Sequence, residues 1–104
     1  MSALVEFAMF PIDSTESKSE FVAKVLAIVE ESGLAYQLTP MGTIIEGETV
    51  SEVFAVIEKA YAVLELESTR IYSAIKIDYR KGSVGRINTK VASVESKLGH
   101  KLNA

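Results

Sequence analysis

The sequence predicts an α+β domain in which four strands form one antiparallel sheet backed by helices. Three observations predict it. Short runs rich in β-branched and aromatic residues read as strands, three longer runs carry apolar residues at helical spacing, and the runs follow one another as β-α-β-β-α-β-α. The chain has 104 residues, which fits a single domain over 1–104 and is short for two.

The first strand covers residues 3–10, with Ala3, Val5, Phe7 and Met9 on one parity and Leu4, Glu6, Ala8 and Phe10 on the other. Both faces are largely apolar, so both should be at least partly covered. Residues 11–16 form a polar, solvated loop from which Ser14 and Thr15 could reach a ligand at the sheet edge. Ser17-Lys18-Ser19-Glu20 matches a capping box, and Phe21, Val25, Ile28 and Val29 share one face, so a helix over 17–32 should end at Gly33. Tyr36-Gln37-Leu38-Thr39 and Thr43-Ile44-Ile45-Glu46 should pair as a hairpin through Pro40-Met41-Gly42. Ile45 is expected to face the helices, because the opposite parity would bury the Glu46 carboxylate in the core. Thr49-Val50-Ser51-Glu52 is a second capping box, and Val53, Ile57, Ala60, Tyr61 and Leu64 give a helix over 50–66. Residues 71–79 alternate as a long fourth strand, and Ile87, Val91, Val94 and Leu98 give a third helix stopped by Gly99.

This order is that of a ferredoxin-like βαββαβ antiparallel sheet with an extra C-terminal helix. Right-handed crossovers put the first two helices on one face. That inner face should take Val5, Phe7, Met9, Leu38, Ile75 and Ile77. The opposite, open face should take Leu4, Glu6, Ala8, Phe10, Ile44, Glu46, Gln37, Thr39, Tyr72, Ala74, Lys76, Asp78 and Arg80.

Composition removes several functions. A net charge of −3 argues against a nucleic-acid partner, and the absence of cysteine excludes thiolate metal sites, disulfides and a cysteine nucleophile. The lone histidine, His100, sits at the C-terminal end and supports no catalytic triad. No apolar run approaches a membrane span and the first residues lack a basic leader, so a soluble cytoplasmic protein with no membrane partner is expected.

The open face carries the chemistry. It mixes aromatic and aliphatic residues with Glu6, Gln37, Thr39, Lys76 and Asp78, either as solvated cross-strand pairs such as Glu6 with Lys76, or as a subunit interface enclosing a small polar pocket. Gly82-Ser83-Val84-Gly85, between Lys81 and Arg86, could cradle an anion through backbone N–H groups or serve only as a turn.

Thr39-Pro40-Met41-Gly42-Thr43-Ile44-Ile45-Glu46-Gly47 resembles the central signature of the small thiamine-binding, YkoF-like family. Arg70-Ile71 leading into Ile75-Lys76-Ile77-Asp78-Tyr79-Arg80 is similar to that family's last strand, and Val5 through Pro11 followed by Phe21-Val22-Ala23 fits its start. Asp13-Ser14 stands where the family pattern has a glycine-containing turn. The resemblance implies a subunit that assembles as a homotetramer, a dimer of dimers, through its sheets. It also implies a non-enzymatic pocket for thiamine or its hydroxymethylpyrimidine moiety, with no catalytic residue, cofactor or metal. An aminopyrimidine presents an amine donor beside a ring-nitrogen acceptor, which carboxylate, amide and hydroxyl groups can meet. Glu46, Thr43, Thr39, Gln37 and Glu6 supply such groups, Phe10 and Tyr72 supply a wall, and Glu46 is the acid expected at the amine edge. The role that follows is sequestration, delivery or sensing. The alternative is an oligomeric regulatory module binding another small metabolite or an anion, and a third reading is an enzyme acting through Glu46 or Asp78.

Overall fold

The structure, a computed structural model, describes residues 1–13 and 17–103. Its elements are β1 (Ser2–Pro11), α1 (Lys18–Ser32), β2 (Ala35–Thr39), β3 (Gly42–Gly47), α2 (Val50–Glu65), β4 (Ile71–Arg80) and α3 (Arg86–Leu98). The strands form one antiparallel sheet in the order β2-β3-β1-β4, as expected for the ferredoxin-like arrangement with an added C-terminal helix. No helix among the described residues is long and apolar enough to cross a membrane.

Register explains the core. Val5 stands opposite Ile45 on one side and Ile77 on the other, so the alternating residues Ala3, Val5, Phe7 and Met9 face the same side as Ile45. They pack with Phe21, Val25 and Val29 of α1 and Val53, Ile57 and Leu64 of α2. The parity expected for the inner face is the observed one, but its burial differs. Leu38, Ile75 and Ile77 face the helix side yet stay about half-exposed. They lie on the two edge strands, while α1 and α2 pack chiefly over β1 and β3.

The helix starts follow from their caps. Thr49 Oγ1 accepts from Glu52 N at 3.1 Å, and Glu52 Oε1 accepts from Glu48 N at 3.3 Å, which is nearly the reciprocal box. At α1 the Ser17 hydroxyl accepts from Ser19 N at 3.2 Å instead of from Glu20 N, so that box is incomplete. Thr49→Ala should therefore cost about 1 kcal/mol and Ser17→Ala about 0.5 kcal/mol in a reversible thermal melt, with Thr49→Ser near the parent. Gly47 shows why β3 stops where it does: a Cβ there would lie 2.8 Å from Glu52 Oε1 and 3.0 Å from Val53 Cγ1, so only glycine lets the strand end meet the first turn of α2.

Asp13, expected in a solvated loop, is a clamp. Its carboxylate accepts from the Ser68 hydroxyl, from Thr69 N at 2.9 Å and from Thr69 Oγ1 at 2.6 Å. The end of β1 is thereby tied to the α2–β4 connection. The Ser68 hydrogen bond, followed by those from Thr69, holds this carboxyl well below the usual carboxylate range.

The third helix does not join the other two. It lies across the open face over β3, β2 and β1, with Ile87 and Val91 beside Gln37. The β2–β3 half of that face is therefore covered by the chain itself. On β4, Tyr72, Ala74, Lys76 and Asp78 remain exposed.

Candidate functional site

Glu46 sits where its parity puts it, on the open face opposite Leu4 and Ala35. It is only 8% exposed and its oxygens are occupied from within the chain. Oε2 accepts from the Ser2 hydroxyl at 2.5 Å and from Arg86 N at 2.9 Å, and Oε1 accepts from Ile87 N at 3.2 Å. Gly85, the N-cap of α3 with φ 64°, has no side chain to cap the helix, and the Glu46 carboxylate does so from the neighbouring strand. The backbone N–H groups that follow the glycine-rich segment do hold an anion, and it is this carboxylate.

Arg86 completes the cluster. The residue is 3% exposed, and its Nε donates to Ser2 Oγ at 2.8 Å, Nη2 to Ser2 O at 2.9 Å and to Asp78 O, and Nη1 to Asp78 Oδ2 at 2.8 Å. Lys90 Nζ adds a second cation to Asp78 Oδ2 at 3.0 Å. These bonds from Lys90 and then Arg86 hold the Asp78 carboxyl below its ordinary value. Glu46 is set by opposing effects: burial pushes its carboxyl up, and this is outweighed by the Ser2 hydroxyl, the Arg86 and Ile87 N–H groups and the Arg86 charge, so the net direction is down. A depressed folded value stabilises the protein above the unfolded value of about 4.5 and is lost as pH falls through the folded one. Acid melts should show the parent losing stability below that pH, and Glu46→Gln should remove part of that slope.

The other expected site residues are spread over three places. Glu6 is paired with Lys76 at 3.3 Å on the exposed half of the open face, which is the solvated cross-strand pair. Gln37 lies under α3 beside Ile87 and Val91. Thr39 Oγ1 donates to Gly42 O at 2.9 Å and accepts from Gly42 N at 3.1 Å, so it closes the β2–β3 turn. Phe10 and Tyr72 do form one wall, with ring centroids 5.9 Å apart. Ser14 and Thr15 lie outside the described residues.

A different cavity brings three of these residues together. It has a volume of about 230 Å³ and lies between the first half of α1, the end of β1 and the β2–β3 hairpin. Phe7, Met9, Val22, Leu26 and Leu38 make most of its surface apolar, and Phe10, Thr39 and Thr43 also line it. Thr43 is the distinctive group. It shares the parity of Ile45 and so points to the helix side, where it is 4% exposed. Its hydroxyl has no hydrogen-bond partner among the described residues, yet it is not sealed off, since no fully buried polar atom is left unpaired among them. Thr43 is one of the residues that line the cavity. Lys18, Val22, Leu26 and Met41 of this cavity are not among the site residues expected from the sequence, and only the placement of α1 against the hairpin brings them together.

Comparison with known proteins agrees with the fold and places the chain. The family described as thiamine-binding protein matches residues 5–95. The chain belongs to that family. Among its members, the UPF0045 protein Mb1933 of Mycobacterium bovis is 38% identical over 98 residues, covering 94% of this chain and 96% of that protein. The UPF0045 protein YqgV of Bacillus subtilis is 37% identical over 102 residues, covering 92% and 97%. Of the solved structures, the hypothetical protein MJ1052 of Methanocaldococcus jannaschii is 25% identical and superposes with a TM-score of 0.79 over 89% of this chain and 95% of its own. TM0486 of Thermotoga maritima, described as a putative thiamine biosynthesis/salvage protein, shares the fold at 21% identity with a TM-score of 0.77, covering 90% and 99%.

Proposed function

We propose that this member of the thiamine-binding protein family binds thiamine or its hydroxymethylpyrimidine moiety in the α1–hairpin cavity and does not turn it over. The carrying observation is the unpartnered Thr43 hydroxyl in a mostly apolar, aromatic-walled space. An aminopyrimidine has the matching character, a flat apolar face with a polar edge that one hydroxyl can meet as donor or acceptor. The volume of about 230 Å³ suits one substituted ring; drug-sized ligands occupy sites of roughly 300–1,000 Å³. The pyrimidine is therefore the buried part of thiamine, and the thiazole side lies toward solvent. In this reading Phe7 and Phe10 form the wall, Tyr72 supports Phe10, Thr39 holds the hairpin in shape, and Glu46 is structural. The role is sequestration, delivery or sensing in the cytoplasm.

Calorimetry tests the reading with one atom's change. Thr43→Val keeps the shape and removes the hydroxyl. It should weaken hydroxymethylpyrimidine binding by about tenfold, the effect of one hydrogen bond in a desolvated site. Its melting temperature should be equal to the parent's or higher, because no protein bond is lost. Unchanged binding in Thr43→Val would refute the assignment.

Assembly as a homotetramer, a dimer of dimers, belongs to the same proposal. β4 is a ten-residue edge strand on which Tyr72, Ile75, Ile77 and Tyr79 remain exposed. Long apolar edges of this kind invite a partner. Ala74→Glu should shift light-scattering mass downward, and a parent that is a stable monomer at micromolar concentration would contradict the proposal.

A further inference from the structure

The charge at the cavity mouth has the wrong sign for a plain cation. Thiamine carries a positive thiazolium ring, and a site built for a cation would place a carboxylate near it. None of the described residues lining the cavity is acidic, and the one charged residue among them is Lys18. Lys18 is also misplaced by the rules of helix stability. It is the first residue of α1, where the helix dipole favours acids and disfavours cations. Among the described residues no carboxylate pairs with it, and its ammonium stands 4.2 Å from the centroid of the Phe10 ring, at the rim of the cavity. A residue that breaks a local preference beside a cavity points to function there.

We infer that the ligand carries an anionic tail, and that Lys18 at the mouth binds a phosphate monoester attached to the aminopyrimidine or, through the thiazole, to thiamine. This rests on the cavity reading above and adds the ligand's charge. The ring occupies the apolar space and meets the Thr43 hydroxyl, while the phosphate lies at the rim. There it meets the Lys18 ammonium beside the positive end of α1, a pairing that charge-assisted hydrogen bonds strengthen. Phe10 holds the ammonium in place through its ring face.

The test titrates hydroxymethylpyrimidine, its phosphate ester, thiamine and thiamine monophosphate into the parent, Lys18→Met and Lys18→Glu. In the parent, at least one ester should bind about tenfold tighter than its own unphosphorylated form, the effect of one charge-assisted contact. That preference should shrink with added salt, vanish in Lys18→Met and reverse in Lys18→Glu. The circular dichroism spectrum and reversible thermal melt of Lys18→Met should match the parent's, which shows that the variant is folded. Which ester gains shows whether the phosphate is carried by the pyrimidine or by thiamine. If the unphosphorylated forms bind and neither ester binds tighter, or if the preference survives in Lys18→Met, the anionic-tail inference is overturned and the cavity reading stands. If nothing binds the parent, both are overturned.

Discussion

Glu46→Ala should destabilise the protein by about 3 kcal/mol and free α3 from the sheet. The carboxylate caps two N–H groups of α3 and accepts from Ser2, so its removal leaves three donors without an acceptor. It also leaves the 3%-exposed Arg86 with only Asp78 to balance its charge, and breaking one partner out of a buried ionic cluster typically costs about 3–5 kcal/mol. Some of that cost is recovered if α3 undocks and rehydrates, so the value expected lies at the low end. Hydrogen exchange should show α3 amides exchanging fast while β1 and α2 stay protected. Arg86→Lys should show a milder form of the same effect, because an ammonium cannot reach Ser2 and Asp78 together as the guanidinium fork does. Uniform destabilisation with α3 still protected would mean that the helix is held by its apolar face and not by this cluster.

Val22→Trp should abolish ligand binding, with a loss of about a hundredfold or more, while costing less than about 1 kcal/mol of stability. Val22 lines the cavity from α1 and is itself only half-buried, so an indole can enter the empty space without displacing the core residues Phe21 and Val25 beside it. Filling a void with apolar atoms offsets the cost of the larger side chain. Thermal melting checks the stability, and calorimetry with hydroxymethylpyrimidine checks the binding.

The frame of the molecule was legible in the sequence because local signals and long-range packing agree there. The period-two run at Val5, Phe7 and Met9 and the i, i+4, i+8 set Phe21, Val25 and Val29 mark opposite sides of one core. The parity of Glu46 was legible for the same reason, since only one choice kept its carboxylate off the helix side. Its role was not. The apolar positions of α3 define a helical face but not which side of the sheet that face meets, and the Glu46 partners sit 40 residues and more along the chain. Thr39 and Thr43 look alike in sequence; register turns one into a turn-closing group and leaves the other unpartnered in a cavity. The cavity is a gap between α1 and a hairpin, and a gap has no sequence pattern. Lys18 did leave a trace, a cation at a helix start, which became informative once Phe10 and the cavity were placed beside it.

The most direct test of the cavity site is chemical-shift mapping of the isotope-labelled protein titrated with hydroxymethylpyrimidine. The cavity site predicts saturable shifts centred on Phe7, Val22, Leu26 and Thr43, with Glu46, Arg86 and Ile87 unmoved. Shifts centred on Glu6, Tyr72 and Lys76 of the exposed sheet face, or no saturable shifts at all, would contradict it.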